Sequence, residues 1–338
     1  MGERTRKAGI VGMGSAVPDK VLTNFDLEKI VDTTNEWILT RTGISERRIA
    51  SDDLTASMLG ASAAEAALRQ AGVSADEVDL IITATISGDM PFPATASLIQ
   101  DRLSAKRASA FDLQAGCSGF IYGLSVADAM VASGAYEKIL VVGVDILSKI
   151  TNWSDRTTCV LFGDGAGAAV VAPVEDGSGI LSFTLGSDGS GSDLLKIEAG
   201  GSLFPLTEDL FKDGKHLIYM NGREVFKFAV RIMGDAAIEA LKKCGLEPKD
   251  VDTFVPHQAN IRIIEAAARR LDLPMEKVFV NVQRYGNTSA ASIPLALDEA
   301  TREGAIKKGD TVVAVGFGAG LTWGATVIKW GFDGANSK

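Results

Sequence analysis

Two parts of the chain repeat one order of helix and strand, and this repetition restricts the possible folds more than any other feature. Residues 63–73 and 236–246 both have the spacing of helices that end at a glycine, and an acidic turn and an apolar strand follow each of them. At the same separation of 173 residues, the apolar strand 139–143 corresponds to 312–316. Chance similarity between amphipathic helices explains this shared order poorly. The sequence therefore predicts two similar halves of alternating helix and strand.

Apolar strands without polar alternation, such as 139–144, predict sheets that are covered by helices on both faces. The predicted fold class is α/β, with a first half at 1–172 and a second half at 173–338. Segment 111–114 corresponds to 280–283, so the turns after these two segments should occupy equivalent places. A pseudo-two-fold axis between the halves would bring both turns to the ends of the strands, where open α/β sheets bind ligands.

The charge and the cysteine content argue against several kinds of partner. The 338 residues carry a formal net charge of −9, which disfavours nucleic acid and an anionic membrane surface. No apolar run is long enough to span a membrane. The three cysteines, at positions 117, 159 and 244, lack metal-ligand spacing, and an odd number does not suit a disulfide framework. We expect free thiols, a reducing compartment and a cytoplasmic protein.

The beginning of the chain superficially resembles a secretory signal peptide. Arg4, Arg6 and Lys7 precede the apolar stretch 8–17. Glycines interrupt this stretch, and no cleavage motif of small residues follows it. We interpret 8–17 as the first strand of the fold.

Cys117 lies between a predicted strand at 108–111 and a predicted helix that ends at Gly134. Free amide groups and the dipole at a helix N-terminus stabilise a thiolate, so this position should lower the thiol pKa from its free value of about 8.5. The adjacent glycines would let a substrate carbonyl approach the backbone closely. Cys117 is therefore a candidate nucleophile, and the alternative is a buried, inert cysteine.

The second half supplies two candidate partners for that thiol. His257 lies between the end of a predicted strand, 253–255, and the start of a helix, and Asn287 lies in the turn that corresponds to the Cys117 turn. A histidine at a strand end suits a positioned hydrogen-bond donor, and a satisfied core histidine is the alternative. The only other histidine, His216, lies in a polar loop and should be solvated.

These residues lie in motifs that resemble the β-ketoacyl-acyl-carrier-protein synthase III family, condensing enzymes of the thiolase superfamily. In family order, the matching motifs are 33–44, 117–120, 162–168, 221–226, 255–260, 285–289 and 316–324. Together they are specific, although the glycine-rich segments are weak signals singly. Two departures, 114–116 before the cysteine and Ala319 in the last glycine run, bear on substrate preference. The resemblance implies an internally duplicated thiolase-like fold, with two mixed sheets and helices in α-β-α-β-α layers.

The resemblance also implies a decarboxylative Claisen condensation. Cys117 would take the acyl group of a short acyl-CoA, acetyl-CoA first among them, as an enzyme thioester. Malonyl-acyl-carrier protein would then lose carbon dioxide, and His257 and Asn287 would donate hydrogen bonds to the resulting enolate. Amides of Cys117 and of 318–320 would stabilise the oxyanion. The product would be a β-ketoacyl-carrier protein that starts fatty acid synthesis, and a starter unit for secondary metabolism is the alternative.

Substrate contacts follow from the same resemblance. Those for CoA and its pantetheine arm are Trp37, Arg41, Thr42, Arg156, Asn260 and Arg262. Those for the acyl pocket are Phe92, Phe226 and Phe317, with Phe92 reaching into the pocket of the partner in a homodimer. An acidic carrier protein needs local positive charge, for which the candidates are Lys227, Arg262, Arg269 and Arg270. For the phenylalanines the alternative is core packing, and for the arginines it is a solvated surface charge. No metal and no tightly bound cofactor is expected.

Three other functions fit parts of the sequence. A papain-like protease also orders Cys, His and Asn along the chain, but its local cysteine signature is absent and its fold is not duplicated. A dinucleotide dehydrogenase is suggested by Gly12 and Gly14 after a strand, but the third glycine is missing and Pro18 follows where a helix should run. A non-catalytic binding module does not account for the three candidate catalytic residues together.

Overall fold

The computed structural model describes residues 6–334. Its strands are β1 (Ala8–Ala16), β2 (Val21–Thr23), β3 (Glu46–Arg48), β4 (Leu80–Ala84), β5 (Ser109–Leu113), β6 (Ile139–Asp145), β7 (Gly165–Pro173), β8 (Gly179–Ser187), β9 (Leu195–Ile197), β10 (Ile218–Met220), β11 (Thr253–Pro256), β12 (Thr311–Gly318) and β13 (Thr322–Lys329). Its α-helices are α1 (Asn24–Leu27), α2 (Asn35–Thr42), α3 (Ala56–Ala71), α4 (Thr95–Arg102), α5 (Gly119–Ala132), α6 (Glu208–Lys212), α7 (Gly222–Lys243), α8 (Ile261–Arg270), α9 (Val282–Tyr285) and α10 (Ser292–Arg302). Within the described part of the chain, no helix is both long and apolar enough to cross a membrane.

Two mixed sheets show the duplication directly. The first has the order β1-β7-β6-β4-β5, with β4 parallel to β5 and β6, and with β7 antiparallel to β6 and β1. The second has the order β8-β13-β12-β11, with only β11 and β12 parallel. The two orders are the same, strand for strand, apart from β5. A division of the chain after residue 172 stays a prediction; β7 ends at Pro173 and β8 begins at Gly179.

Helices cover both sheets and also lie between them. α3 and α4 pack on the outer face of the first sheet, and α7 and α8 pack on the outer face of the second. α5 and α10 contact strands of both sheets and form the central layer. The predicted α-β-α-β-α arrangement and the thiolase-like fold are therefore confirmed.

The two central helices are buried around much of their circumference because they face a sheet on each side. Every residue of α10 from Ser292 to Thr301 is buried. In α5 the buried positions include Phe120, Ile121, Leu124 and Val131. α5 begins two residues after Cys117, and α10 begins five residues after Asn287. The two helices of the central layer thus follow the two turns that carry these candidate residues.

Glycines inside β1 allow α3 to lie close against it. A Cβ at Gly12 would come within 2.6 Å of the Ala67 carbonyl oxygen, and a Cβ at Gly14 within 2.3 Å of the Ala67 amide nitrogen. These glycines serve strand-to-helix packing and lie in no turn before a helix, which removes the dehydrogenase alternative. The interpretation of the N-terminal apolar stretch as the first strand is confirmed, although Arg4 lies outside the described residues.

The structure corrects the expected equivalence of 280–283 with strand 111–114. Only Val278 bridges to Phe254 of β11, and α9 begins at Val282. The side chain of Gln258 takes the place of strand pairing. It accepts from the amides of Asn281 and Val282 at 2.9 and 3.1 Å, and it donates to the Phe279 carbonyl at 3.1 Å. A side chain thus satisfies backbone groups that a sheet would otherwise pair.

Candidate active site

Cys117 lies in a single turn of 3₁₀ helix between β5 and α5, at the wall of a cavity of about 850 Å³. Residues of the segments 85–91, 112–117 and 195–201 line this cavity, together with Phe162, Ser289 and Ala319. Two hydroxyl groups hold the turn in place, because Ser118 and Thr322 each donate to the Ala115 carbonyl at 2.7 Å. Cys117 as a residue is 7% exposed and lines the cavity, so the cavity is the route to its thiol.

The end of β12 lies directly against the Cys117 turn. A Cβ at Gly318 would come within 2.3 Å of the Cys117 amide nitrogen, and a Cβ at Gly116 within 2.7 Å of the Ala319 amide nitrogen. Gly116 has a φ of 51°, which suits glycine. Only glycine at Gly318 lets the two chain segments come this close. This brings backbone amides of both halves, those of Cys117 and Ala319, together at this turn, and their role in binding an oxyanion stays a prediction.

His257 follows the end of β11 and is fully enclosed. Its backbone amide donates to the Val315 carbonyl at 2.7 Å, and its ring packs edge-on against Phe317 with centroids 5.6 Å apart. Ring nitrogen Nδ1 lies 2.5 Å from the Ser292 hydroxyl oxygen. Nitrogen Nε2 is buried and has no hydrogen-bond partner among residues 6–334. His257 therefore does not match a fully satisfied core histidine, since one ring nitrogen has no partner in the described part of the chain.

Asn287 is held by its backbone and by its side-chain oxygen. Its amide donates to the Leu161 carbonyl at 2.8 Å, and its carbonyl accepts from Gly163 at 3.0 Å. Its Oδ1 accepts from the Ser289 amide at 2.9 Å. Because a backbone amide can donate only to the oxygen of the side-chain amide, Nδ2 must face the other way. The turn therefore presents an N–H donor.

Cys117, His257 and Asn287 converge through shared neighbours. Cys117 and Ser289 line the same cavity, and Ser289 orients Asn287. His257 packs against Phe317, the neighbour of the glycine that contacts Cys117. The convergence of turns from both halves, expected from the duplication, is therefore seen in the structure.

Burial sets the charge of both titratable groups. It raises the pKa of the Cys117 thiol to about 12. The Ser289 hydroxyl lowers this pKa by a smaller amount, and the negative charge of Asp145 raises it further. The expectation that the helix N-terminus lowers this pKa is wrong for the free protein, because lost hydration disfavours the thiolate more strongly. Burial also lowers the pKa of His257 to about 3, so its imidazole is neutral at pH 7.

Asp145, at the end of β6, is a buried acid that the sequence analysis did not select. Its carboxylate accepts from the Ile86 amide at 2.8 Å, the Ser87 hydroxyl at 2.7 Å and the Ala290 amide at 3.1 Å. It thus joins the cavity wall at 85–87 to the turn that carries Asn287. Burial raises its pKa. The sequence does carry a signal for this residue, because Asp145 is the acidic last position of an otherwise apolar strand, Ile139–Asp145.

Of the predicted CoA contacts, Trp37 and Arg156 lie together. The Arg156 guanidinium lies 5.6 Å from the Trp37 ring centroid and also donates to the Asp32 carbonyl at 2.8 Å. An adenine between them needs two stacking distances of about 3.5 Å each, so Arg156 must move away from the ring to admit it. Arg41 is exposed at the end of α2.

The other predicted CoA residues are already bonded within the protein. Asn260 caps α8 by accepting from the Arg262 amide at 2.9 Å, and it donates to the Arg41 carbonyl at 2.9 Å. Thr42 is buried, and its hydroxyl donates to the Ile38 carbonyl at 2.7 Å. This arrangement does not favour a contact from Thr42 to pantetheine. The contact from Asn260 to pantetheine stays a prediction.

The three phenylalanines assigned to the acyl pocket lie in different places. Phe92 is 83% exposed beside the cavity segment 85–91. Phe317 packs against His257, and Phe226 lies under Arg262, whose guanidinium is 5.3 Å from the ring centroid. Neither Phe226 nor Phe317 is among the residues that line the cavity at Cys117. Phe317 therefore lies on the His257 side of the site, and Phe226 lies against Arg262 of α8.

Most of the predicted docking cations have acidic neighbours of their own. Arg270 pairs with Asp235 of α7 at 2.9 Å, and Lys227 pairs with Glu224 at 2.7 Å. Arg269 lies 3.9 Å from Glu265. These pairs are exposed and hold each cation weakly. Their role in docking stays a prediction.

The remaining predictions concern free thiols, metal ligands and His216. Cys117, Cys159 and Cys244 are all free, as expected. Among residues 6–334, no three His, Cys, Asp or Glu side chains are grouped to hold a metal ion. The prediction that His216 is solvated is wrong, because the residue is half-buried and its ring stacks on Phe211 with centroids 4.3 Å apart.

Known proteins resemble this chain in sequence and in fold. The family profile described as 3-oxoacyl-[acyl-carrier-protein (ACP)] synthase III matches residues 111–189, and its C-terminal counterpart matches 241–330. A β-ketoacyl-[acyl-carrier-protein] synthase III of Desulfitobacterium hafniense is 57% identical over 95% of this chain and 97% of its own length. The structure of the Thermus thermophilus β-ketoacyl-[acyl carrier protein] synthase III is 53% identical, with a TM-score of 0.90 over 97% of this chain and all of its own. A priming β-ketosynthase from the R1128 polyketide pathway is 38% identical, with a TM-score of 0.89 over 97% of both chains. The chain therefore belongs to the β-ketoacyl-acyl-carrier-protein synthase III family.

Proposed function

We propose that this protein uses Cys117, His257 and Asn287 to condense acetyl-CoA with malonyl-acyl-carrier protein. As a member of its family, the chain is a condensing acyltransferase that starts fatty acid synthesis. One observation carries the assignment of roles. The turn of the buried Cys117 packs against the turn that follows Asn287 and against β12, to which the backbone of His257 is hydrogen-bonded, so three candidate groups from both halves meet at one junction.

In the first step, the Cys117 sulfur attacks the acetyl-CoA carbonyl. The carbonyl oxygen becomes an oxyanion, which the amides of Cys117 and of 318–320 stabilise. The bond to the CoA sulfur breaks, and the thiol proton ends on the departing CoA thiolate. The products are acetyl-Cys117 and free CoA. A neutral thiol exchanges for a neutral thiol, which suits the buried position of Cys117.

In the second step, malonyl-carrier protein occupies the site that CoA has left. Loss of carbon dioxide places the bonding electrons on the thioester as an enolate. His257 Nε2 and Asn287 Nδ2 donate to its oxygen, and each such donor is typically worth about 3 kcal/mol. The enolate carbon attacks acetyl-Cys117 and expels the Cys117 thiolate. The raised pKa of Cys117 means that this thiolate regains a proton from solvent.

The CoA nucleotide would lie at the exposed edge formed by Trp37, Arg41, Arg156 and Arg262. An arginine and a tryptophan already in contact provide two faces for an adenine once they separate. Arg41 is free to reach phosphate. Secondary metabolism is the weaker pathway context, because the relative with a polyketide role is less similar than those named for synthase III.

A homodimer in the cytoplasm is the proposed working form. Phe92 and Met90 are 83% and 48% exposed next to the cavity, and large apolar side chains at such a place mark an interface. A second copy of the chain would cover these side chains, and Phe92 of the first copy would reach the cavity of the second. Three free cysteines suit a reducing compartment.

Separate measurement of the two steps tests the proposed roles. Cys117→Ala should not take a radiolabelled acetyl group from acetyl-CoA, but it should retain slow decarboxylation of malonyl-carrier protein. His257→Ala and Asn287→Ala should still form labelled acetyl-enzyme and should lose condensation by at least about 10²-fold. His216→Ala is the matched control for loss of a histidine. Full condensation by either His257→Ala or Asn287→Ala would contradict the assignment.

A further inference from the structure

The Ser292 hydroxyl, the first side chain of α10, stands between two groups at the end of β11. It lies 2.5 Å from His257 Nδ1, and it accepts from the Gln258 amide at 3.1 Å. Ser292, His257 and Gln258 are 1–2% exposed. Bulk water therefore does not compete for these bonds, and each polar hydrogen of the three groups needs an acceptor within the protein.

The position of the serine proton follows from counting donors and acceptors. The Gln258 amide can only donate, so it uses one lone pair of the Ser292 oxygen. The hydroxyl proton then needs an acceptor, and His257 Nδ1 is the only one that residues 6–334 provide for it. Nδ1 can accept only when it carries no proton. In a neutral imidazole the single ring proton then belongs to Nε2.

We propose that Ser292 is a positioning residue that fixes His257 in the tautomer with its proton on Nε2. This inference rests on the proposed role of His257 in condensation. It explains why a neutral ring in this site acts as a donor: Nε2–H then points to the thioester oxygen of the malonyl group. The other tautomer would present a lone pair to the developing enolate and repel it.

The surroundings make Ser292 suited to this task. α10 is buried along its length between the two sheets, so its first residue has little freedom. Gln258 fixes the same junction, since its side chain donates to the Pro256 carbonyl at 2.7 Å. Ser292 is absent from the lining of the cavity at Cys117. Its effect should therefore fall on condensation and leave acylation of Cys117 unchanged.

The chain is favourable for a direct measurement because it has only two histidines. His216→Gln leaves His257 as the single ring to observe after labelling with ¹⁵N-histidine. Long-range ¹H–¹⁵N spectra distinguish a protonated ring nitrogen from an unprotonated one by chemical shift. At pH 7 we expect a neutral ring with its proton on Nε2 and an unprotonated Nδ1. A proton on Nδ1, or a charged ring, would overturn the proposal without any substitution of Ser292.

Substitution of Ser292 tests the consequence for the reaction. Ser292→Ala should give a mixture of ring tautomers and lower condensation by about tenfold, with radiolabelled acetylation of Cys117 within about twofold of the unsubstituted protein. Ser182→Ala is the matched control, because Ser182 is a buried serine that donates to the Ala240 carbonyl far along the chain. Equal loss of both steps in Ser292→Ala would indicate a merely structural role. Full condensation by His257→Ala would instead remove the proposed function, while the ring spectra would still report the tautomer.

Discussion

Cys117 and His257 are both buried, and burial raises the pKa of one and lowers the pKa of the other. Each shift has the same cause, since burial reduces the hydration of whichever form is charged. At pH 7 the resting site therefore holds a neutral thiol and a neutral imidazole. A cysteine protease instead relies on a thiolate next to a charged histidine. Charge, as well as fold, separates this site from the papain-like alternative.

The lowered pKa of His257 predicts a specific dependence of stability on pH. The unfolded chain takes up a proton at this histidine below about pH 6.5, whereas the folded chain does so only near pH 3. Between these values the unfolded state binds more protons, so stability falls as pH falls. His257→Gln removes this contribution. The unfolding free energy of His257→Gln minus that of the unsubstituted protein should rise by about 1 kcal/mol for each pH unit below 6.5.

Urea unfolding at pH 7, 6, 5 and 4 measures this dependence. Other acidic and basic groups titrate in both proteins, so the difference between them isolates His257. His216→Gln is the matched control. A difference between His257→Gln and the unsubstituted protein that stays constant from pH 7 to pH 4 would contradict the prediction.

Gly318 offers a test of the oxyanion arrangement. A Cβ there would come within 2.3 Å of the Cys117 amide nitrogen, so one of the two segments must shift. Gly318→Ala should slow acylation and condensation alike, by about 10²-fold or more, because both steps form an oxyanion near these amides. Gly189→Ala is the control, since a Cβ at Gly189 meets nothing within 4 Å. Unchanged rates in Gly318→Ala would place the oxyanion elsewhere.

Helix α8 is the element on which carrier-protein docking can be tested. Reversing Arg270 would also break its pair with Asp235 of α7, so Arg269 alone is the cleaner position. Arg269→Glu should raise the apparent KM for malonyl-carrier protein, with little change in acylation by acetyl-CoA. The increase should disappear toward 1 M salt, where the Debye length is about 3 Å.

Two controls separate docking from folding of α8. Arg69→Glu reverses an exposed charge at the end of α3, on the other outer layer, and should leave the KM unchanged. Malonyl-CoA as the extender removes the carrier protein from the reaction. An equal rise in KM for malonyl-CoA would mean that Arg269 supports the helix and does not dock the carrier.

At the scale of the whole molecule, the duplication was readable because it repeats local patterns. Helix spacing, glycine ends and continuous apolar strands are local properties. They correctly predicted the duplication, the layers of sheet and helix, and the meeting of turns from both halves at Cys117. What the sequence could not give depends on long-range contacts. Gln258 replaces strand pairing after β11, and burial reverses the expected pKa shift of Cys117. Both follow from packing that no single segment encodes.

The proposed homodimer provides the last test, through the choice of acyl chain. Phe92 lies on a loop whose start is anchored by Asp89, which accepts from the Ser57 amide and hydroxyl at 2.7 Å each. An exposed aromatic ring on an anchored loop suits a plug for the cavity of a second copy. A large ring there would admit acetyl groups and exclude longer chains.

Phe92→Thr should therefore open the far end of the partner's cavity. We expect four- to six-carbon acyl-CoAs to gain at least about tenfold in kcat/KM relative to acetyl-CoA, because one methylene is worth about 1–3 kcal/mol in such a pocket. Competition among acyl-CoAs measures the profile, and sedimentation checks that the dimer persists. Phe25→Thr, which shortens another exposed phenylalanine on α1, should keep the original profile. If dimeric Phe92→Thr also kept it, Phe92 would not limit the length of the acyl chain.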